Sequence, residues 1–502
     1  MVHGRGVRGW VGVGAAQSAI LGPQPVALAA VSPVLFRLLP AAMARALAHP
    51  WPWPRRCAVV LALYAVYLPL SGANRLPFDA GEYWGLAATF FGPGLRFSLL
   101  HYAVMLRGYL GPLLLVPVRA LCYATGWPAV AGAQLMGLGW AVLLFGVAGP
   151  AAWAAATGRG LRGGAWLLAV ALGFAFWRGH FNYSLQDAPA LSLLLLSLAA
   201  GARSGWRWAV LGGLLAAAAI NLRPVYIACA PGAAGWLWWH ARGLGRGPAA
   251  RRWAAVAAGA ALVLAPQVAI NYRHFGKLTP LVLATDDGRW PIYLKQLNWG
   301  TAFQRYESSL DPAHYGGVVF ADATGARQLR AVPGSMFGSY AEYVGFAGRH
   351  PLAVAGRYAH HLFNGLDVWY PTPYPLRLRP LGPGPWQLLN YAVLALGLVH
   401  VLRCQSRPRA GARGPGAGWA LLALGLPAAV AVPTLVECRY LLPVHLLLLT
   451  AAAEGFRPRR WWAMPRWRQA AILAALAAVL WGGWHLAAAT AAQLQAGDVP
   501  TY

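Results

Sequence analysis

The chain has 502 residues, of which 58% are hydrophobic and 11% charged, with 41 Lys and Arg against 13 Asp and Glu and a formal net charge of +28. Soluble domains carry roughly 25% charged residues, so this balance excludes an ordinary soluble domain and indicates an all-α polytopic membrane protein. The excess of positive charge does not imply nucleic acid, because the arginines gather in short loops between apolar runs, where the positive-inside bias puts them and where they can meet lipid head groups.

In chain order, residues 1–56 read as a cytoplasmic N-terminal extension. Its stretch 1–42 is Gly- and Ala-rich, shows no small-residue cleavage site of a signal peptide, and is expected to be dispensable, with Met43 opening a more natural start. The first span is expected at 57–72, behind Arg55 and Arg56. An outer loop, 73–128, follows. Within it, 102–124 is apolar, but Arg107 and Arg119 leave only 11 residues between them. That is too short for a helix across a ~30 Å core. Pro112 and Pro117 interrupt it further, so it reads as a re-entrant or interfacial element on the outer face.

Further spans are expected near 129–156, 164–181, 189–202, 208–222, 225–240 and 253–271, completing an N-terminal bundle over 57–271. Residues 272–385, rich in Tyr, Gly and Pro and lacking a long apolar run, form an extracytoplasmic loop domain of mixed structure. Spans near 386–402, 418–434, 440–453 and 470–489 make up the C-terminal helices, 386–490, and 491–502 is an outer tail. The total is about 11 spans, in a range of about 10–13. With that number the inner segments hold 23 of the 41 Lys and Arg but a single acid, Glu454, while twelve of the thirteen acids lie outside. Cys57, Cys122, Cys229, Cys404 and Cys438 have no paired spacing and read as core residues without a disulfide or metal role.

Carboxylates are costly in so apolar a chain, and their positions carry the functional information. Asp79 and Glu82 stand three residues apart at a helix start. That is the spacing of a capping box, and it also lets both carboxylates meet one ligand, either to take a proton from an acceptor hydroxyl or to coordinate a divalent cation. Asp187 precedes Pro189 at another outer helix start and reads as an N-cap or as part of the same cavity. Arg223, before Pro224 and between two spans, wants an anionic partner: a lipid-linked phosphate, or Asp187, unless it snorkels to the interface. Glu437 and Arg439 either pair with interfacial charges or place a cation near a phosphate. His350, His360 and His361 lack the spacing of a metal site, and the outer aromatics suit an interfacial belt or stacking against sugar rings.

Four features together resemble the GT-C superfamily of membrane glycosyltransferases, closest to bacterial enzymes related to protein O-mannosyltransferases and aminoarabinose transferases. They are an outward Asp79 soon after the first span, followed by Tyr83 and an Ala-rich helix; the Asp187-Ala188-Pro189 turn; Leu222-Arg223-Pro224 between spans; and Glu437-Cys438-Arg439-Tyr440 near the C-terminal end. The resemblance spans about residues 57–455.

It implies a transferase in the bacterial inner membrane, moving sugar from a polyprenyl-phosphate carrier to a lipid, glycan or protein acceptor on the outer face. It also implies Asp79 as the catalytic acid position and Arg223 and Arg439 as ligands of the carrier phosphate. The family often has an adjacent acidic pair; here the second acid is three residues on, which leaves Asp79 alone as the base and a divalent cation as the one cofactor still to be considered. The competing readings are a transporter or flippase of a lipid-linked or anionic solute, and a non-catalytic membrane protein on the same scaffold. One-sided acids and the large outer loop argue against the transporter.

Overall fold

The computed structural model describes residues 47–286, 290–378, 384–406, 416–457 and 461–495. The expected extension over 1–42, Met43 and residues 496–502 of the outer tail lie outside them. The protein is helical. Among the described residues, four helices are long and apolar enough to cross a membrane: Ala129–Thr157, Arg246–Phe275, Pro385–Cys404 and Arg466–Ala491.

The N-terminal helices are α1 (Trp53–Leu70), α2 (Phe78–Leu86), α3 (Leu110–Thr125), α4 (Ala129–Thr157), α5 (Gly163–Trp177), α6 (Asp187–Gly201), α7 (Trp206–Leu222), α8 (Ala230–Ala241) and α9 (Arg246–Phe275). Several expected spans prove to be composite. The one expected over 164–181 is α-helical only to Trp177 and continues as a 3-10 turn over Arg178–Asn182, and the one over 225–240 begins as a 3-10 segment, Pro224–Cys229. The tighter helix rises about 2.0 Å per residue against about 1.5 Å, so a composite reaches further than an α-helix of the same length. The element expected over 102–124 is the helix α3, 16 residues long, or about 24 Å, short of a ~30 Å core.

Close helix contact is built from glycine. A Cβ on Gly259 of α9 would lie 1.9 Å from the carbonyl oxygen of Val210 on α7, and one on Gly213 of α7 would lie 2.0 Å from that of Val256 on α9. Such reciprocal small-residue contacts drive helix association where lipid removes the hydrophobic incentive. Gly259→Ala is therefore expected to destabilise the bundle by about 1–3 kcal/mol through overpacking. A thermal unfolding series in detergent checks this; an unchanged midpoint would mean that the two helices do not approach so closely.

The bundle buries Tyr64, Trp166, Trp177, Leu191, Leu194 and Trp236. By contrast α9 leaves Leu262 64% exposed, and the last long helix leaves Leu473 54% and Trp481 69% exposed. Apolar surface on helices of spanning length is what a bilayer covers.

Residues 285–366 hold a short hairpin, β1 (Thr285–Asp286) with β2 (Trp290–Pro291), then α10 (Ile292–Ala302), β3 (Phe303–Ser309), β4 (Gly316–Ala321), α11 (Ala323–Arg330), α12 (Tyr340–Arg349) and α13 (Pro351–Leu366). The helices α14 (Pro385–Ser406), α15 (Gly416–Ala431), α16 (Leu442–Gly455) and α17 (Arg466–Ala491) follow, and then β5 (Leu494–Gln495). The sheet order is β3-β4-β5, all antiparallel, with Phe320 opposite Leu494. Leu294, Leu297, Phe303, Val319, Phe337 and Phe346 form the core of this mixed unit.

Candidate active site

All six residues singled out by sequence lie in one charged network. The face of α2 presents Asp79, Glu82 and Tyr83 at the spacing that places side chains over one another. Arg107, from the segment before α3, meets all three. Its Nη2 donates to Asp79 Oδ1 and to Glu82 Oε2, each at 2.9 Å, and its Nη1 donates to the Tyr83 hydroxyl at 3.2 Å. The other oxygen of Asp79 accepts from Arg439 Nη2 at 2.8 Å. Arg439 also pairs with Glu437: Nη2 donates to Oε1 at 3.0 Å, while Nε lies 2.6 Å from Oε2 as an ion pair without hydrogen-bond alignment. Tyr440 donates to Glu437 Oε1 at 3.1 Å, and its ring lies 5.1 Å from the Arg223 guanidinium. Arg223 Nη2 reaches Asp187 Oδ1 at 2.9 Å.

Four carboxylates thus face three guanidinium groups, in a chain running from Glu82, 39% exposed, through Asp79 at 26% to Asp187 at 7%. One end is open to solvent and the other is sealed. Asp187 Oδ2, at the sealed end, has no hydrogen-bond partner among the described residues.

The capping expectations are corrected. Helix α2 starts at Phe78 behind Pro77 and α6 starts at Asp187 behind Gln186, neither with a side-chain cap bond. A helix terminus offers about half a charge, and a guanidinium a whole one, so the carboxylates turn to arginine. Phe78, just before Asp79, has a φ of 45°. A bulky residue in that region costs of order 1–3 kcal/mol, and such strain collects at functional sites. The bend is braced by Ser184, whose hydroxyl donates to the Ala80 carbonyl at 2.6 Å.

Burial raises the Asp79 carboxyl, but the Arg439 and Arg107 guanidinium groups outweigh it and hold it below the usual carboxylate range. For Glu437 burial prevails over Arg439 and pushes the carboxyl up. The two acids that share Arg439 therefore have opposite tendencies, which is how paired carboxylates divide proton-transfer roles. A divalent cation between Asp79 and Glu82 does not fit this arrangement, because the Arg107 guanidinium occupies the space between them. Among the described residues no group of three His, Cys, Asp or Glu is placed to hold a metal ion.

The segment carrying Glu437 and Arg439 is held by α10 and β3: Leu435 N donates to the Gln296 carbonyl and Tyr306 N to the Val436 carbonyl, both at 3.1 Å. Behind it lies a buried ionic cluster. Arg305 on β3 donates through Nε to Glu307 Oε1 at 2.7 Å and through Nη1 to the carbonyls of Asn364 and Asp367 at 3.1 and 2.9 Å. The Asp367 carboxylate accepts from Trp369 Nε1 and from the Tyr391 hydroxyl.

Sequence reasoning missed Arg107, which it treated only as a break in an apolar run. The available signal was that Arg107 stands in the same stretch between apolar runs as two acids in need of a counterion. Tyr83 and Tyr440 were seen inside motifs without a role. No family model matches this chain, and neither curated proteins nor solved structures give a significant match.

Proposed function

We propose that this chain is a membrane glycosyltransferase of the GT-C type, with about 11 spans, that moves a sugar from a polyprenyl-phosphate donor to a hydroxyl acceptor on the extracytoplasmic face of the bacterial inner membrane. The observation that carries this reading is the convergence of Asp79, Glu82, Asp187, Arg223, Glu437 and Arg439, from four separate segments, on one network with Arg107.

In this mechanism the acceptor oxygen attacks the anomeric carbon with inversion. Its proton passes to Asp79, and the bond from the anomeric carbon to the phosphate oxygen breaks. Arg107, Arg223 and Arg439 stabilise the negative charge gathering on the departing phosphate. Asp79 has both oxygens on guanidinium groups and is a weak base as it stands. An arriving phosphate competes for those same groups, so donor binding frees the base. The unpaired Asp187 Oδ2 is a buried acceptor that a sugar hydroxyl would satisfy.

The test is the purified protein against a panel of polyprenyl-phosphate sugars, with release of polyprenyl phosphate as readout. Turnover of one member is expected. No turnover and no binding across the panel would sink the reading. A second reading, a purely structural ion-pair latch, is favoured by the carboxylate partner that each of the three guanidinium groups already has. It predicts that removing Asp79 lowers the melting temperature and touches no activity.

A further inference from the structure

Arg107 is held at a distance by a relay of three buried amides. The Leu110 N–H donates to Asn221 Oδ1, Asn221 Nδ2 to Gln267 Oε1, and Gln267 Nε2 to Asn271 Oδ1, each at 2.9 Å. Asn271 Nδ2 then donates to the carbonyls of Thr279 and Leu281, both at 2.8 Å. Asn221 is 2% exposed, and Gln267 and Asn271 are fully buried. Every amide in the relay uses its oxygen once and its nitrogen onward, so the chain has one direction and each of its oxygens and nitrogens has a partner. Such chains are mutually polarised and leave few alternatives inside a low-dielectric bundle.

The relay closes into a ring. Its far end reaches 279–281, and three residues later the Ala284 N–H donates to the Met105 carbonyl at 2.9 Å. The segment 105–110, with Arg107 at its centre, is therefore tied to 279–284 at both ends, once directly and once through α7 and α9. Tyr102 adds a brace, its hydroxyl donating to the Arg107 and Gly108 carbonyls at 3.1 and 3.3 Å. Asn221 backs the segment directly: a Cβ on Gly108 would lie 2.0 Å from the Asn221 carbonyl oxygen. Asn221 also stands two residues before Arg223, so the same relay sets the place of two of the three arginines.

We propose that Gln267, acting through Asn221 and Asn271, is a positioning residue for Arg107, and that 105–110 and 279–284 move as one rigid piece beside the phosphate of a polyprenyl-phosphate ligand. The second half of this statement rests on the transferase reading; the first half does not. Gln267 touches none of the charged groups, so its influence is exerted through backbone placement alone.

Two measurements on the full chain in detergent test the proposal. Hydrogen exchange over 102–110 and 279–284 is expected to rise several-fold together in Gln267→Met and to return toward the wild-type rate in Gln267→Glu, whose protonated side chain keeps one acceptor and one donor. Affinity for farnesyl phosphate is expected to fall about tenfold in Gln267→Met, the scale of one charged hydrogen bond, and that loss should vanish in an Arg107→Gln background. Unchanged exchange over 102–110, or an equal loss of affinity with and without Arg107, would overturn the proposal.

Where Gln267→Met does not fold, Asn271→Asp takes its place. Protonated by the same burial, it still accepts from Gln267 but keeps only one of the two donations, so 105–110 and 279–284 should loosen together; loosening of 279–284 alone counts against the ring. Wild-type protein that does not bind farnesyl phosphate would instead remove the transferase reading, and the exchange result would then decide the positioning role by itself.

Discussion

Asp79→Asn is expected to abolish sugar transfer while leaving expression and melting temperature close to those of the wild type. Proton transfer by a positioned carboxylate is worth about 10²–10⁴ in rate, and the amide keeps the shape of the group while losing its basicity. Asparagine still offers one oxygen to a guanidinium, so the network loses charge more than it loses contacts. Turnover by the purified variant, measured beside binding of the donor, checks this. The informative comparison is Glu437→Gln. If that variant is the dead one and Asp79→Asn turns over, the base is Glu437, whose carboxyl is already pushed up by burial, and Asp79 becomes the anchor of Arg439. Full activity in both variants would remove the network from the chemistry altogether.

The largest expected loss of stability comes from Arg305→Met. Arg305 is 1% exposed and is the shared partner of Glu307 and the fully buried Asp367. Removing one member of a buried ionic cluster leaves uncompensated charge and costs about 3–5 kcal/mol. A second substitution, Glu307→Gln in the Arg305→Met background, should recover part of that, since it deletes the charge left behind.

The pH dependence follows from Asp367. Burial pushes its carboxyl up to about 6, against Arg305, Trp369 and Tyr391, which favour ionisation. An unfolded Asp titrates near about 3.9, so the folded state holds this proton longer, and stability falls as pH rises between about 4 and 6. Without Arg305 the folded carboxyl rises further, and the fall should continue above about 6. Thermal melts from acid to neutral pH check it; a variant with the wild-type slope would mean that Arg305 does not govern Asp367.

The candidate site was legible because charge is rare here. Asp79, Asp187, Arg223 and Arg439 each stood out against apolar sequence, and each proved to face an opposite charge. What sequence could not supply was the pairing. Asp79 and Arg439 are 360 positions apart, and no local pattern joins them. Local rules instead pointed to capping, a half-charge interaction that lost to a full one. Arg107 was read through the length of the run it interrupts, which reports on membrane crossing and says nothing of partners.

Among the described residues, four helices met the span expectation by length and composition. Others divided at Arg178 and Pro224 into mixed helix types, because periodicity does not distinguish α from 3-10 winding. The three-stranded sheet was invisible for a different reason: its strands have seven, six and two residues, and the last is remote in sequence from its neighbour.

That last pairing bears on biosynthesis. Strand β4 meets β5 only after α17, and the Ala321 N–H donates to the Gln493 carbonyl at 3.0 Å in the same place. Chains emerge from the ribosome N-terminal end first. The β3–β4 hairpin therefore waits with an open edge through the synthesis of α14 to α17. An unpaired edge is a template for wrong partners. Emergence of β5 is thus the step at which this sheet gains its third strand, and a nascent chain halted within α17 would be the form most exposed to misassociation.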